Sequence, residues 1–229
     1  MKRSEINRIL QEAVQFIHEQ HWELPPFAYW NKAEWETKGG EYREIVDTML
    51  GWDITDFGSG DFNKIGLLMF TIRNGSFTDI MYEKPYAEKL LISQVGQVTP
   101  CHYHYKKMED IINRGGGTLV MQVYNSDLKD WIADTDVTVY RDGRKYTVAA
   151  GEKIYLHAGE SITLMPGCYH TFWAEDKAVL IGEVSKVNDD RVDNHFLEPV
   201  GRFPVIEEDE EPIYLMSMDY PGFWEIENK

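Results

Sequence analysis

The rhythm of apolar and polar positions changes near residue 65. Before that point Ile6, Ile9, Leu10, Ala13, Val14 and Ile17 recur at intervals of three and four, which predicts an amphipathic helix over residues 4–20 with Ser4 as its N-cap. Pro25-Pro26 ends that segment. Asn31 and Glu34 then form an Asn-x-x-Glu capping arrangement that opens a short helix running to about Lys38. A weaker helical piece covers residues 41–50 before Gly51, Gly58 and Gly60 break the pattern. This first quarter reads as a helical lid or dimerisation arm without obvious chemistry.

Beyond Ile65 the chain turns to short apolar or alternating runs separated by Gly, Asp and Asn. Strands are predicted at 66–73, 77–81, 87–95, 118–124, 137–140, 145–148, 153–156, 161–165, 170–174 and 178–184. Asn74-Gly75 is read as the hairpin turn between the first two, and Asp142-Gly143 as a second hairpin turn. This texture predicts an all-β sandwich or closed barrel rather than α/β winding. With no internal repeat and no low-complexity linker, the expectation is a single domain over 1–229: a helical arm at 1–60, a barrel at 61–200 and a tail at 201–229. The acidic run Glu207–Glu211 is read as a solvated loop, and the aromatic tail (Tyr214, Tyr220, Phe223, Trp224) as wrapping back on the barrel.

Composition narrows the classes. The chain has 229 residues, 43% of them hydrophobic and 13% aromatic, enough for a sizeable core. A formal net charge of −16 argues against nucleic acid and anionic membrane surfaces as partners. No apolar run approaches the roughly 18 residues of a membrane span. The N-terminus lacks the pattern of a signal peptide, so the expected location is cytoplasmic. Cys101 and Cys168 are then expected as free thiols.

The candidate chemistry centres on residues 96–116. His102 and His104, two apart, point the same way only on a strand, and Glu109 follows closely enough for a short turn to bring its carboxylate to the same ion. The stretch is read as a metal-binding β-hairpin, and imidazole with carboxylate suits a divalent transition metal. A further ligand is wanted from elsewhere, and His170, just after the turn at Pro166-Gly167, is the candidate. Residues 187–196 are dense in carboxylates and amides: either an Asx-rich surface turn or a mouth loop that binds hydroxyls.

These two stretches resemble the two motifs of the cupin superfamily. Gly96, His102, His104, Glu109 and Gly116 match every position of the first motif, while Gly159, Gly167 and His170 match the second, with Pro166 one place late and Ala174 in place of the usual asparagine. The resemblance implies a cupin-type antiparallel β-barrel, a double-sheet jelly roll, carrying an N-terminal helical arm. More narrowly, the Pro-Pro-Phe-Ala-Tyr-Trp stretch of the arm and the segment from Glu183 to Asp190 are similar to the cupin-type D-lyxose isomerases. That similarity implies interconversion of D-lyxose and D-xylulose, with D-mannose and D-fructose as related sugars, in a homodimer. It also implies a manganese-preferring site, with zinc, iron, nickel and cobalt as alternatives.

An aldose-ketose isomerase must move a proton between adjacent carbons through a cis-enediol, unless a hydride moves instead. The candidates for base and acid are Lys89 and Glu183; Asp190 and Arg191 would orient hydroxyls, and an ordinary salt-bridge role is the alternative for each. His18, His21, His157 and His195 lie outside any ligand spacing and are expected to be structural or exposed. Cys101 should face away from the metal and Cys168 should pack. Tyr103, Tyr105, Phe172 and Trp173 are candidate pocket walls or core. Two other classes stay open: a cupin iron dioxygenase, and a non-catalytic sugar-binding cupin.

Overall fold

The computed structural model describes residues 1–190, 192–202 and 204–220. The arm comprises α1 (Arg3–Glu19), α2 (Lys32–Trp35) and α3 (Arg43–Asp47), with 3-10 turns at Pro26–Tyr29 and Gly40–Tyr42. Strands follow as β1 (Gly51–Thr55), β2 (Leu67–Arg73), β3 (Tyr86–Ser93), β4 (Thr99–His104), β5 (Glu109–Gly116), β6 (Leu119–Ser126) and β7 (Ile132–Ala133). The second half contributes β8 (Val137–Arg141), β9 (Arg144–Val148), β10 (Lys153–Leu156), β11 (Ser161–Leu164), β12 (Cys168–Ala174), β13 (Val179–Lys186) and β14 (Asn194–Phe196). One sheet has the order β1-β2-β3-β13-β5-β11-β8-β9 and the other β10-β6-β12-β4-β14, with every strand pair antiparallel. The two sheets face one another as the expected cupin-type double-sheet barrel.

Alternation along the strands explains which side chains line the barrel. Leu67 and Met69 of β2, Leu91 of β3, and Val179 and Ile181 of β13 point between the sheets, while Leu68, Phe70, Leu90, Ile92 and Leu180 point outward. The outward set is covered by Ile6, Leu10, Ala13 and Ile17 of α1, so these central strands are buried on both faces and read as continuous apolar runs. In this phase Lys89 on β3, Glu183 on β13 and Glu109 on β5 all point into the barrel. Because α1 fills the outer face, Leu10→Ala is expected to destabilise the protein by about 2–5 kcal/mol, measured as a lowered urea midpoint with an unchanged slope.

Several expectations are corrected. The sheet starts ahead of residue 61, since β1 pairs with β2 along its whole length, Gly51↔Thr71 to Thr55↔Leu67. Asn74-Gly75 is not a hairpin turn and 77–81 forms no strand; β2 pairs with β3 instead. The Asn74 amide is consumed in bridging two loops, donating to Thr48 O at 3.3 Å and Asn188 O at 2.9 Å and accepting from Asn188 N at 3.0 Å. Ser4 does not cap α1: its backbone N–H and hydroxyl donate to the Asp209 carboxylate at 2.9 and 2.8 Å. The run Glu207–Glu211 is therefore anchored, not merely solvated. Glu208 pairs with Arg3 at 2.7 Å, and Asn7 donates to Glu211 O at 2.9 Å, placing acids where the unpaired N–H groups and dipole of α1 attract them. The capping box of Asn31 and Glu34 and the Asp142-Gly143 turn between β8 and β9 form as expected. Tyr220 packs against Trp35, in a cluster with Ile45 and Leu215; Phe223 and Trp224 lie outside the described residues.

Candidate metal centre

His102 and His104 sit on β4 and His170 on β12, and the two strands pair with His102 directly opposite His170. A bulge between His170 and Phe172 shifts the register there. The His102 and His170 rings lie 4.2 Å apart between centroids, and one ligating nitrogen from each of the three histidines falls within 4.8 Å of the others. Glu109 completes the group, its Oε1 lying 3.4 Å from His104 Nε2 and 3.2 Å from His170 Nε2. The expected hairpin is not what achieves this: β4 and β5 belong to opposite sheets, and residues 105–108 form a corner that crosses the barrel. Buried Asp193 holds that corner, accepting from Lys106 N at 2.8 Å and Lys107 N at 2.9 Å.

The protonation pattern invites a cation. His102 Nδ1 contacts Pro100 O at 2.8 Å and His170 Nδ1 contacts Cys168 O at 3.1 Å. Carbonyl oxygens only accept, so each Nδ1 carries the proton and each Nε2 presents a lone pair. Burial holds His170 neutral, pushing it down to about 4, and burial together with the neighbouring His170 and His104 holds His102 well below its usual range. Burial alone would raise the Glu109 carboxyl; the Lys107 ammonium outweighs it and holds the group well below the usual carboxylate range. An ionised carboxylate oxygen thus faces the lone pair of His170 Nε2, and among the described residues this buried Oε1 has no hydrogen-bond donor. Such an arrangement repels itself unless a cation lies between, and three imidazole nitrogens with one carboxylate oxygen suit a divalent first-row ion.

From Glu109 a ladder of alternating charge runs across the barrel. Lys107 Nζ lies 2.8 Å from both Glu109 Oε2 and Glu183 Oε1; Lys89 follows at 3.7 Å from Glu183 and 3.9 Å from Asp190; Arg202 lies 3.2 Å from Asp190 and 2.5 Å from Asp53. Burial would lower the Lys107 ammonium, but Glu109 and Glu183 outweigh it and the group is held charged, well above its usual range. Asp190 is held well below its usual range, because Lys89, Arg202 and Lys107 outweigh its burial. Asp53 is pushed up by burial, against the opposing pull of Arg202.

Lys89, Glu183 and Asp190 are thus brought together with the histidines, whereas Arg191 lies outside the described residues. Sequence reading missed Lys107, Asp53 and Arg202. Lys107 had one available signal, a lysine two residues before a ligand-spaced glutamate. Asp53 and Arg202 had none, because they come from β1, ahead of the expected barrel, and from the tail. Of the candidate walls only Phe172 lines the pocket. Tyr103 faces the other side of β4 and stacks on His195, Tyr105 donates or accepts with His195 Nδ1 at 2.9 Å, and Trp173 lies under Lys153. His18, His21 and His157 are exposed. Both cysteines are free, their thiols pushed up by burial to about 11 for Cys101 and about 12 for Cys168.

The histidines, Glu109, Lys107 and Glu183 line an inner pocket of about 50 Å³, and a chamber of about 500 Å³ adjoins it, with Asp190, Asn194, Phe196 and Arg202 lining both. No helix among the described residues is long and apolar enough to cross a membrane.

A sequence model of the family described as D-lyxose isomerase matches residues 1–220. The chain is 48% identical over 226 residues to the D-lyxose/D-mannose isomerase of Serratia proteamaculans, an alignment covering 97% of this chain and 99% of that protein. It is 47% identical over 226 residues to the D-lyxose/D-mannose isomerase of Escherichia coli O157:H7, covering 97% and 100%. Among solved structures, the L-ribose isomerase of Cellulomonas parahominis shares the fold with a TM-score of 0.60 at 15% identity, over 90% of this chain and 98% of that one. With the match running from the helical arm through both sheets and the mouth loop, the chain belongs to the D-lyxose isomerase family.

Proposed function

We propose that the protein is a metal-dependent aldose-ketose isomerase interconverting D-lyxose and D-xylulose, with D-mannose and D-fructose as a second pair. His102, His104, Glu109 and His170 would hold the ion, with manganese as its identity. Bound there, a divalent ion supplies Lewis acidity to the oxygens on the reacting carbons. The observation that carries this reading is the second carboxylate: the ammonium of Lys107 touches both Glu109 and Glu183 at 2.8 Å, so a potential proton carrier stands directly beside the cation pocket.

Glu183 is favoured over Lys89 as the group that takes the proton from one carbon and returns it to its neighbour. Its Oε1 is fixed by Lys107 and by the Ser185 hydroxyl at 3.1 Å, whereas Lys89 is an ammonium flanked by the carboxylates of Glu183 and Asp190. Lys89 and Asp190 then serve to orient hydroxyls, together with Arg191, which follows Asp190 in sequence. The barrel walls, Phe57, Phe172 and Phe196 among them, exclude water from the proton transfer. The similarity to sugar isomerases over nearly the whole chain favours this reading over an oxygenase or a binding protein. A homodimer and a cytoplasmic location are proposed with it.

Metal removal tests the reading. Protein stripped with a chelator is expected to form no D-xylulose from D-lyxose, and manganese should restore conversion more fully than zinc, cobalt, nickel or iron. Undiminished ketose formation in metal-free protein would refute the metal-dependent mechanism. Oxygen uptake without ketose, or sugar binding without turnover, would select one of the competing classes.

A further inference from the structure

The inner pocket is too small for a whole sugar. At roughly 10–15 Å³ of such volume for each water-sized group, 50 Å³ admits about four groups, against about ten non-hydrogen atoms in a pentose. On the isomerase reading, on which this inference rests, the reacting carbons occupy the inner pocket and the other end of the open chain extends into the 500 Å³ chamber. Among the described residues, two acceptors on that path have no donor. Asp53 is 7% exposed, with Oδ2 taken by Arg202 at 2.5 Å, and its Oδ1 is buried without a hydrogen-bond partner. Asn194 donates through Nδ2 to Asp190 at 3.3 Å, and its Oδ1 is likewise buried and unpartnered. Leaving such acceptors unsatisfied is unfavourable, so each is preorganised for a donor that arrives with a ligand.

Their positions differ. Asn194 lines both the inner pocket and the chamber, whereas Asp53 lines the chamber alone. We propose that Asp53, positioned by Arg202, is a specificity-determining acceptor for the terminal hydroxyls of the sugar, favouring six-carbon over five-carbon chains. Asn194 would meet hydroxyls that both chains possess.

Asp53→Asn tests this sharply. Arg202 selects the amide oxygen, so the amide NH2 replaces the free acceptor with a donor. Calorimetric titration of the metal-loaded protein with D-mannitol and D-arabinitol, the polyols of mannose and lyxose, reads binding without turnover. Affinity for D-mannitol is expected to fall about tenfold more than for D-arabinitol, and kcat/KM for D-mannose to fall by a similar factor relative to D-lyxose. Equal losses for both polyols would overturn the proposal, since Asp53 would then act only through the Arg202–Asp190 pair. So would the absence of any loss, or failure of the unsubstituted protein to bind either polyol. Polyol binding without conversion of any aldose would sink the isomerase reading while the binding ratio still decides the role of Asp53. Should the asparagine variant not fold, Asp53→Glu keeps the charge and extends it by one methylene; it is expected to shift preference toward D-arabinitol, and an unshifted ratio overturns the proposal.

Discussion

Glu183→Gln is expected to lower kcat for aldose-ketose conversion by about 10³–10⁴-fold while leaving close to one metal ion per chain. The glutamine keeps the size of the side chain and an oxygen for Lys107 and Ser185, but it cannot carry a proton between carbons. Lys107 retains Glu109 at 2.8 Å, so the barrel keeps a partner for its buried ammonium and the variant should still fold. Metal analysis alongside kcat separates the two roles: loss of rate with retained metal assigns proton transfer, whereas parallel loss of both would make Glu183 a support of the metal pocket. A decrease of less than about tenfold would move the base elsewhere. Solvent deuterium in the product is the companion readout, because a proton carried by Glu183 exchanges with water and a migrating hydride does not.

The charge ladder gives this assignment an electrostatic frame. From Glu109 to Asp53 the alternating groups leave one negative charge in excess, beside three histidines of which two are held neutral by burial and carbonyl contacts. With a divalent ion held there the group would carry one positive charge in excess, and two once Glu183 has taken the proton, a positive field beside the negative charge that develops on the enediol being formed. The ladder also explains how four carboxylates can crowd the barrel: each is separated from the next by a cation, so none is buried unpaired.

Much of this was legible in the sequence, for a physical reason. The helix of the arm and the outer strands announce themselves because each buries one periodic face, and the central strands because they read as continuous apolar runs; His102 and His104 are readable because strand alternation turns spacing into direction, whereas Glu109 and His170 are read from the turns beside them. What was hidden depends on contacts between remote segments. That β4 and β5 lie in opposite sheets follows from the corner held by Asp193, some ninety residues away in sequence. Asn74-Gly75 carries a hairpin signature, but the Asn74 side chain is committed to Thr48 and Asn188, and that commitment overrides local turn preference. Ser4 lost its capping role because acids from the tail satisfy the start of the helix. Asp53 and Arg202 are separated by 149 positions, and a charge pair of that span leaves no local trace.

His170→Ala is expected to remove the metal-linked part of stability. In the unsubstituted protein a metal at 100 times its dissociation constant stabilises the fold by about 2.7 kcal/mol. For a chain of this size that corresponds to a rise in Tm of roughly 5–11 °C on adding manganese to stripped protein. Loss of a group hydrogen-bonded to a metal ligand already costs about 10–100-fold in affinity, and loss of the imidazole itself should cost at least as much, so at the same manganese concentration the rise falls by about half or more. The metal-free variant isolates packing from ligation. His170 is 2% exposed, so its removal leaves a cavity and lowers Tm even without metal, but the difference between metal-loaded and stripped protein reports the ion alone. Retention of the full manganese-induced shift in the variant would exclude His170 as a ligand. It would leave His102, His104 and Glu109 to hold the ion, with His170 reduced to packing against the His102 ring.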